Sequence, residues 1–343
     1  MTAKLHWTCP ALVILLLHGF AASGAAHSQS THFGHPRIAP TAPGAVRLAT
    51  YNIANLFDER DDPSLSGDED DMNSVKPAEQ KQAAAAAIRA VNPDILALQE
   101  IESFDALIEF REQYLDDMGY DHVVSIDVGA ERGIEQAVLS RHPVTSAQVW
   151  PTARLGGVHP DLWNDRPNRY AGQPLMGRRS PLRVTVSIEP AGEESAPYEI
   201  TLFVVHHKSG RGNEYWREAE AAWLLERIRE FERHHPGANI AVLGDFNDGV
   251  DTATVQTYFR SGFSEVFTER KPGDPLTTTH ESGHAWDLIL VNPALQPELV
   301  AGSASVFSTP LRSPGADWRT TPPPQGWASD HLPVSVDLMP RDS

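Results

Sequence analysis

The sequence predicts an α/β protein built from stacked layers of strands and helices. Two β-rich apolar runs, 46–53 and 94–98, alternate with two segments of helical composition, 77–91 and 104–114. The longest predicted helix covers 213–233, where apolar residues recur at helical spacing on one broad face. Strands and helices that alternate along a chain are typical of a layered α/β domain.

The remaining segments continue this pattern to the end of the chain. The segment 153–178 is rich in Gly, Pro, Asn and Arg and is predicted to be a long, irregular surface loop. A helix is predicted near 251–259, and no linker divides the chain into two domains. Further strands are predicted at 122–126, 134–139, 147–151, 181–188, 199–205, 239–243, 263–267, 286–291, 299–307 and 331–338.

The N-terminal segment is predicted to be a targeting signal and not part of the fold. Lys4 precedes an apolar run, 11–17, and small residues follow, a pattern typical of a secretory signal peptide over 1–26. The segment 27–44 is rich in His, Pro, Ala and Ser and is predicted to be a leader that is disordered or draped over the domain. We therefore expect one domain, 45–340, that is secreted or periplasmic after cleavage and has no stable membrane anchor.

Composition excludes several kinds of site. Cys9 is the single cysteine and lies inside the predicted signal, so the mature protein is expected to have no disulfide and no thiolate metal site. The chain has 28 basic and 46 acidic residues and a net charge of −18. Such a protein gains nothing from long-range attraction to nucleic acid or anionic lipid, so any polyanion must be held by a local basic patch or by metal ions.

Polar residues stand at the ends of the buried runs. Asp245 and Asn247 follow the aliphatic strand 239–243, and side chains two apart in an extended strand point the same way. A buried charge is costly unless it is paired or bound to a metal ion, so several such residues in one chain are expected to converge. The full set is Asn52, Glu100, His206 with Lys208, Asp245 with Asn247, Asp287, and Asp330 with His331.

These residues lie in six short motifs, which occur in the order Thr50-Tyr51-Asn52-Ile53, Asp94-Ile95-Leu96-Ala97-Leu98-Gln99-Glu100, His206-His207-Lys208-Ser209, Gly244-Asp245-Phe246-Asn247, Trp286-Asp287-Leu288-Ile289-Leu290 and Ser329-Asp330-His331-Leu332-Pro333. The ordered set resembles the endonuclease/exonuclease/phosphatase family over about 46–338. The resemblance implies a four-layer, DNase I-like sandwich, in which two mixed β-sheets pack face to face with helices outside. It also implies hydrolysis of phosphate esters with Mg²⁺, or with Mn²⁺ or Ca²⁺ in its place.

The resemblance assigns roles that suit the chemistry of each residue type. Glu100 is a hard oxygen ligand suited to Mg²⁺, and Asn52 and Asp330 are expected to be further metal ligands. Asp245 is expected to orient the attacking water or to accept its proton, and Asn247 to donate to the phosphate.

The histidines have more than one interpretation. His331, supported by the carboxylate of Asp287, is expected to be a charged phosphate clamp or the general base. His206 is expected to be the general acid or a second phosphate donor. Only one of His206 and His207 can face the site. Family members carry His, one apolar residue and then Lys-Ser, which favours His206, although His207 then occupies the apolar position.

Other residues depart from the family pattern or imitate another one. Some apurinic endonucleases carry an acid where this chain has Ala54, so metal binding is expected to depend more on Glu100, with Asn55 as an additional candidate. The segment 280–284, His-Glu-Ser-Gly-His, satisfies the zinc-protease pattern, but that chemistry needs a helix and Gly283 interrupts it. We predict a loop there.

Three arginines resemble family residues without a catalytic assignment. Arg178 or Arg179 precedes a predicted strand, and Arg217 lies on the helix that follows the Lys-Ser segment. We expect these side chains to contact phosphate or to be structural.

The predicted function is that of an exported, divalent-metal-dependent phosphodiesterase, nuclease-like and monomeric, whose partner is a phosphate ester with nucleic acid as a candidate. The alternative is a sphingomyelinase-like, phospholipid or small phosphate-ester hydrolase on the same fold, because the charge of −18 disfavours a long polyanion. A third hypothesis is a non-catalytic secreted binding protein. Substrate choice is expected to reside in the loops 58–76, 153–178 and 308–328.

Overall fold

The computed structural model of the chain describes residues 33–60, 75–128, 130, 132–189, 197–268, 270–271 and 273–341. The α-helices in these ranges are α1 (Ala78–Val91), α2 (Phe104–Tyr114), α3 (Glu214–His234) and α4 (Ala253–Arg260). The strands are β1 (Val46–Leu56), β2 (Ile95–Ile101), β3 (His122–Ser125), β4 (Glu135–Ser140), β5 (Val144–Gln148), β6 (Arg154–Val158), β7 (Leu162–Trp163), β8 (Arg166–Pro167), β9 (Pro174–Met176), β10 (Leu182–Ile188), β11 (Tyr198–His206), β12 (Asn239–Asp245), β13 (Ser264–Glu265), β14 (Asp287–Val291), β15 (Ser305–Val306) and β16 (Val334–Leu338).

Most of these strands form two mixed six-stranded sheets. The first sheet has the strand order β15-β16-β1-β2-β4-β3, and the second has the order β13-β14-β12-β11-β10-β5. Each sheet contains one parallel pair, β1 with β2 and β11 with β12, among antiparallel neighbours. Because the carboxyl ends of two parallel strands meet at one edge, each sheet brings two strand ends together.

The sheets pack face to face around one apolar core. This core contains Leu48 and Val334 from the first sheet and Val204 and Ile289 from the second. A second cluster joins α1 and α2 to the outer face of the first sheet, and a third joins α3 and α4 to the outer face of the second sheet. The order helix, sheet, sheet, helix confirms the predicted four-layer α/β sandwich.

The helix boundaries follow from local chemistry. Pro77 precedes the alanine-rich α1, and Asn92 ends the helix in the left-handed conformation, with its N–H donating to the carbonyl of Ile88. Ser103 begins α2, because its side-chain oxygen accepts a hydrogen bond from the N–H of Ala106 at 3.0 Å. Both helices lie where the sequence predicts them.

The prediction that 153–178 is irregular was wrong. β6 pairs with β9 and β7 pairs with β8, so the segment forms two nested antiparallel hairpins. Three predicted strands are also displaced or reduced to two residues: the strand near 147–151 lies at Val144–Gln148, that near 263–267 is reduced to Ser264–Glu265, and that near 299–307 is reduced to Ser305–Val306. These elements lie at edges or outside the two sheets, where alternation of apolar residues is weakest.

The described part of the predicted leader, 33–44, lies against the domain, which is one of the two alternatives predicted for it. Phe33 is buried against the core, and the N–H of His35 donates to the carbonyl of Val306 at 2.7 Å. The predicted signal peptide, residues 27–32 and residues 61–74 of the predicted loop 58–76 lie outside the described residues. Within the described ranges, every helix is too short or too polar to cross a bilayer.

Candidate active site

The strand register of the second sheet places three predicted site residues side by side. His206 is paired with Asp245 across the parallel β11–β12 ladder. Asp245 is paired with Asp287 across the antiparallel β12–β14 ladder. A buried histidine therefore lies beside two buried carboxylates at one end of this sheet.

Gly244 makes this close pairing possible. Its φ is +138°, and a Cβ built there would lie 2.0 Å from the carbonyl oxygen of Val205. No side chain fits at that distance, so the residue before Asp245 must be glycine.

The carboxylate of Asp245 is the centre of the cluster. Its Oδ2 atom accepts a hydrogen bond from Asn52 Nδ2 at 3.1 Å. The same atom lies 3.5 Å from His206 Nε2 and 3.7 Å from His331 Nε2. Asn52 is the last residue of β1 before its register with β2 shifts, and His206 is the last residue of β11. Both sheets therefore contribute to one centre.

Backbone strain marks the end of the first sheet. Ala54, Asn55 and Glu100 all have positive φ, at 55°, 53° and 66°. The β1–β2 register shifts after Asn52, which turns the N–H of Asn55 toward Glu100 Oε2 at 2.9 Å. Such conformations persist only where the surroundings enforce them, and they are concentrated at functional sites.

His331 forms the strongest charged pair of the cluster. Its Nδ1 lies 2.8 Å from Asp287 Oδ2, and Asp287 is completely buried. Burial acts to lower the pKa of His331, but the carboxylates of Asp287 and Asp245 outweigh it and hold that pKa well above its usual value. The imidazole is therefore charged at neutral pH.

The pKa values of two other groups are shifted in opposite directions, and these shifts suit different functions. Burial raises the pKa of the Asp245 carboxyl to about 6, although the neighbouring His331 acts in the opposite direction. Burial, together with the nearby Arg179 cation, lowers the pKa of His206 well below its usual value, so His206 is neutral at neutral pH.

His206 and His207 point to opposite faces of the sheet. His207 lies among the side chains under α3 and α4, with Nε2 3.1 Å from Tyr258 Oη and Nδ1 3.3 Å from Glu220 Oε2. His206 faces Glu100 and Asp245 instead. The sheet geometry therefore favours His206 as the histidine that faces the site.

Asn247 stands at the mouth of the site in a left-handed conformation, with φ of 48°. Its N–H donates to Asp245 Oδ1 at 2.8 Å, and its Nδ2 donates to the carbonyl of His207 at 3.1 Å. Asn247 thereby fixes the orientation of the Asp245 carboxylate.

Asp330 lies on the outer side of the cluster. Its Oδ2 is 3.5 Å from His280 Nε2, and its side chain is 37% exposed. Burial acts to raise the pKa of Asp330, but His280 and His331 outweigh it and lower that pKa. Sequence reasoning missed His280, because it considered this histidine only as part of a zinc-protease pattern.

The zinc-protease pattern, 280–284, lies in a turn and not in a helix, as predicted. The N–H of Gly283 donates to the carbonyl of His280 at 2.9 Å, which closes the turn. Glu281 points away and pairs with Arg312 at 3.1 Å. The two histidines and the glutamate therefore do not share one helix face.

The arginines differ in position. Arg179 is buried and donates to the carbonyl of His207 at 3.0 Å, and Arg217 is buried and pairs with Asp248 at 3.0 Å. Arg178 lies outside, within 5.4 Å of the centre of the Trp216 ring. Sequence reasoning also missed Arg132, which donates to Asn55 Oδ1 at 2.9 Å from a turn that has no recognisable pattern.

A buried lysine joins the two segments that carry the site. Lys76 is 3% exposed, and its Nζ donates to the carbonyls of Ala54 and Ala328, both at 3.0 Å. Burial lowers the pKa of Lys76 to about 8, although Asp330 and Glu100 act to raise it. No sequence signal separates this lysine from an exposed one before a helix.

We expect Lys76→Met to lower the free energy of unfolding by about 1–3 kcal/mol, because two buried carbonyls lose their donor. Thermal or urea unfolding measures this loss. Lys81→Met, on the helix α1 that follows Lys76, is the control, since Lys81 is partly exposed. Equal stability of the Lys76→Met and Lys81→Met proteins would contradict the bridging role.

The donor set fits a divalent cation. Glu100 Oε1 accepts no hydrogen bond from the described residues and lies 3.8 Å from both His206 Nε2 and Arg132 Nη1. Two groups offer ligand atoms within 4.8 Å of one another in the described part of the chain, His280 with Asp330 and His331, and Asp245 with Asp287 and His331; of the predicted ligands, they include Asp330 but neither Glu100 nor Asn52. Carboxylate oxygens are the ligands that Mg²⁺ and Ca²⁺ prefer.

The fold and the site define an α/β sandwich with an acid–histidine centre where its two sheets meet. A family model described as "Endonuclease/Exonuclease/phosphatase family" matches residues 49–331. The chain belongs to this family, as its motifs predict. Enzymes of the family use divalent metal ions.

Solved structures show the same fold at low sequence identity. The human Nocturnin catalytic domain with bound sulfate anion is 17% identical, with a TM-score of 0.51, 87% of this chain covered and 95% of that chain. A family protein from Bacteroides vulgatus is 18% identical, with a TM-score of 0.52 and coverages of 87% and 99%. The mannosyl-6-phosphatase of Bacteroides thetaiotaomicron is 15% identical, with a TM-score of 0.50 and coverages of 85% and 99%. A sequence search of curated proteins finds no match.

Proposed function

We propose that the protein is a divalent-metal-dependent phosphodiesterase that hydrolyses phosphate esters by direct attack of water on phosphorus. One observation carries this proposal: Asp245 Oδ2 lies within 3.7 Å of side chains from both sheets, namely Asn52, His206 and His331. A buried carboxylate in that position can orient a water molecule and accept its proton.

The shifted pKa values support distinct roles. With its pKa raised to about 6, Asp245 is a stronger base than an exposed aspartate and is still ionised at neutral pH. The charged His331 stabilises negative charge on the phosphoryl oxygens, and the neutral His206 serves as a hydrogen-bond donor to the phosphate. The sequence predicts either a charged phosphate clamp or the general base at His331. This assignment selects the phosphate clamp.

In the proposed reaction a bond forms between the water oxygen and phosphorus, and the bond between phosphorus and the ester oxygen breaks. The water proton passes to Asp245, and the departing oxygen takes a proton from solvent. Glu100 and Asn52, with Asp330 on the outer side, are proposed to hold the metal ion. Mg²⁺ is our first choice, and when bound it offsets the charge that develops on the phosphoryl and leaving oxygens.

A nuclease-like substrate is the first candidate, and phospholipid is the second. The second is favoured by three exposed apolar side chains on one segment, Val158 at 56%, Leu162 at 58% and Trp163 at 40% exposure. Exposed apolar side chains beside the site suit contact with a lipid surface. The printed name of one structural neighbour, a mannosyl-6-phosphatase, also makes small phosphate esters worth testing.

From the sequence we further propose that the protein is exported and acts as a monomer. The support is the charged residue, apolar run and small residues of 1–26.

The proposed function is tested with purified, EDTA-treated protein and a panel of DNA, RNA, sphingomyelin, mannose 6-phosphate and bis-p-nitrophenyl phosphate. We expect turnover of at least one diester only when Mg²⁺ or Mn²⁺ is added back. Protein assayed in excess EDTA is the control. Turnover that is equal with and without metal ions, or no turnover of any substrate, would contradict the proposal.

A further inference from the structure

The segment 153–178, here called the arm, is firmly attached beside the active site. Trp163 Nε1 donates to Asn213 Oδ1 at 3.1 Å, and Asn164 Nδ2 donates to the carbonyl of Arg211 at 3.1 Å. His159 Nδ1 lies 2.9 Å from Tyr215 Oη. Three contacts thus tie the arm to the segment that follows His206.

Close packing makes this attachment specific. Gly212 has a φ of +82°, and a Cβ built there would lie 2.5 Å from the side chain of Asn164. A side chain at position 212 would have to displace the Asn164 amide and adopt a strained backbone conformation. Glycine therefore suits this contact between the arm and the segment that follows His206.

The arm and the 208–216 segment enclose a cavity of about 610 Å³. None of the residues that line it is acidic, although the chain as a whole has a net charge of −18. The cations that line the cavity are Arg132, Arg166, Arg169, Arg178 and Lys208. This local concentration of positive charge attracts an anion that the rest of the protein repels.

Aromatic rings share the cavity with these cations. The guanidinium of Arg178 lies 5.4 Å from the centre of the Trp216 ring and 5.6 Å from that of Tyr170. Trp163 and Tyr215 also line the cavity, and Trp163 is 40% exposed. Arginine planes and exposed aromatic faces together bind flat, anionic ligands by stacking and by charge.

The cavity continues from the catalytic cluster. Arg132 lines it and lies 3.8 Å from Glu100 Oε1. Lys208, at its other side, is two residues after His206 in the chain. A substrate whose reacting phosphate lies at Asp245 therefore extends into the cavity with the group next to that phosphate.

We propose that the cavity is a substrate subsite that binds a nucleotide unit, a planar base together with a second phosphate, next to the phosphate that is cleaved. This inference rests on the proposed phosphodiesterase function. It also favours a nucleotide over sphingomyelin, because the choline headgroup of sphingomyelin is a cation and the cavity walls are cationic.

The test uses three substrates that release the same nitrophenolate. They are bis-p-nitrophenyl phosphate, the p-nitrophenyl ester of thymidine 5′-phosphate, and that ester with an added 3′-phosphate. For the wild-type protein we expect kcat/KM to rise along this series, with the largest gain from the 3′-phosphate.

The double variant Arg166→Ala/Arg169→Ala removes two cations from exposed positions of the arm. We expect it to lower kcat/KM for the 3′-phosphorylated substrate by about 10–100-fold, the loss typical of a charge-assisted hydrogen bond, mainly through a higher KM. Its activity on bis-p-nitrophenyl phosphate should stay within about twofold of wild type. Arg260→Ala, which removes an exposed arginine at the end of α4, should change neither activity.

Binding provides a readout that does not need turnover. Thymidine 3′,5′-bisphosphate, measured by calorimetry, should bind more weakly to the double variant than to the wild type. Equal binding to both proteins, or equal loss on all three substrates, would overturn the subsite. If no substrate reacts but binding still depends on the two arginines, the subsite is supported and the proposed hydrolytic function fails.

Discussion

Replacement of Asp245 by asparagine is expected to lower kcat by about 10²–10⁴-fold, the contribution of a well-placed general base. Asparagine has the same shape and can still accept the N–H of Asn247, which now donates to Asp245 Oδ1 at 2.8 Å. It cannot take a proton from water near neutral pH. We therefore expect loss of activity without loss of fold, checked by initial rates and by thermal unfolding of the same preparation.

Asp337→Asn is the matched control, because Asp337 is a second buried carboxylate at the other end of the first sheet. It pairs with Arg47, whose Nε lies 2.6 Å from Asp337 Oδ1. Removing one partner of a buried pair costs about 3–5 kcal/mol of stability. We expect this variant to unfold more easily and to keep its activity per folded molecule. If Asp245→Asn behaved like Asp337→Asn, Asp245 would be structural and not catalytic.

Loss of the His331 imidazole is expected to lower kcat by about 10²–10³-fold in the His331→Gln variant, as for removal of a donor that stabilises transition-state charge. The reason is the 2.8 Å contact with Asp287, which keeps the imidazole charged beside Asp245. His284→Gln is the control, since His284 is exposed and belongs to the zinc-protease pattern. A loss in His284→Gln as large as that in His331→Gln would contradict this assignment.

The contact between His331 and Asp287 also predicts how a variant changes the pH dependence of activity. The pKa of His331 is raised, so its charged form is lost only as pH rises through that raised value. Asn at position 287 can accept the same hydrogen bond but carries no charge. We expect the activity of Asp287→Asn to fall as pH rises through about 6.5, the usual histidine value, where the wild type is still active. Rate profiles from pH 5 to about 9 measure the shift, and an unchanged profile would contradict it.

The convergence of polar side chains could be predicted from the sequence because it follows from chain periodicity. Asp245 ends β12, and Asn52 is the last residue of β1 before its register with β2 shifts, so each can present a polar group where the regular pairing of a buried sheet stops. The register that pairs His206 with Asp245 then follows from parallel strands of similar length. Alternating strands and helices were therefore sufficient for the α/β class and for a cluster of polar strand ends, whereas the four-layer sandwich was implied by the resemblance of the six motifs to the endonuclease/exonuclease/phosphatase family.

The residues that were missed reach the site from turns and from helix ends. Lys76, His280 and Arg132 contact partners that are distant in sequence, and their neighbours carry no periodic pattern. The positive φ of Glu100 depends on a register shift between two strands, which no single residue type signals. The arm escaped recognition because β7 and β8 have only two residues each, too few for alternation to be visible.

The most direct test of the account is hydrolysis of bis-p-nitrophenyl phosphate in ¹⁸O-labelled water with Mg²⁺. The account predicts that each turnover by the wild-type protein places one ¹⁸O atom in the phosphate product, and that Asp245→Asn lowers the rate at which labelled product forms by about 10²–10⁴-fold. Label in the released nitrophenol, or labelled product formed by Asp245→Asn at the wild-type rate, would contradict attack of water on phosphorus under the control of Asp245.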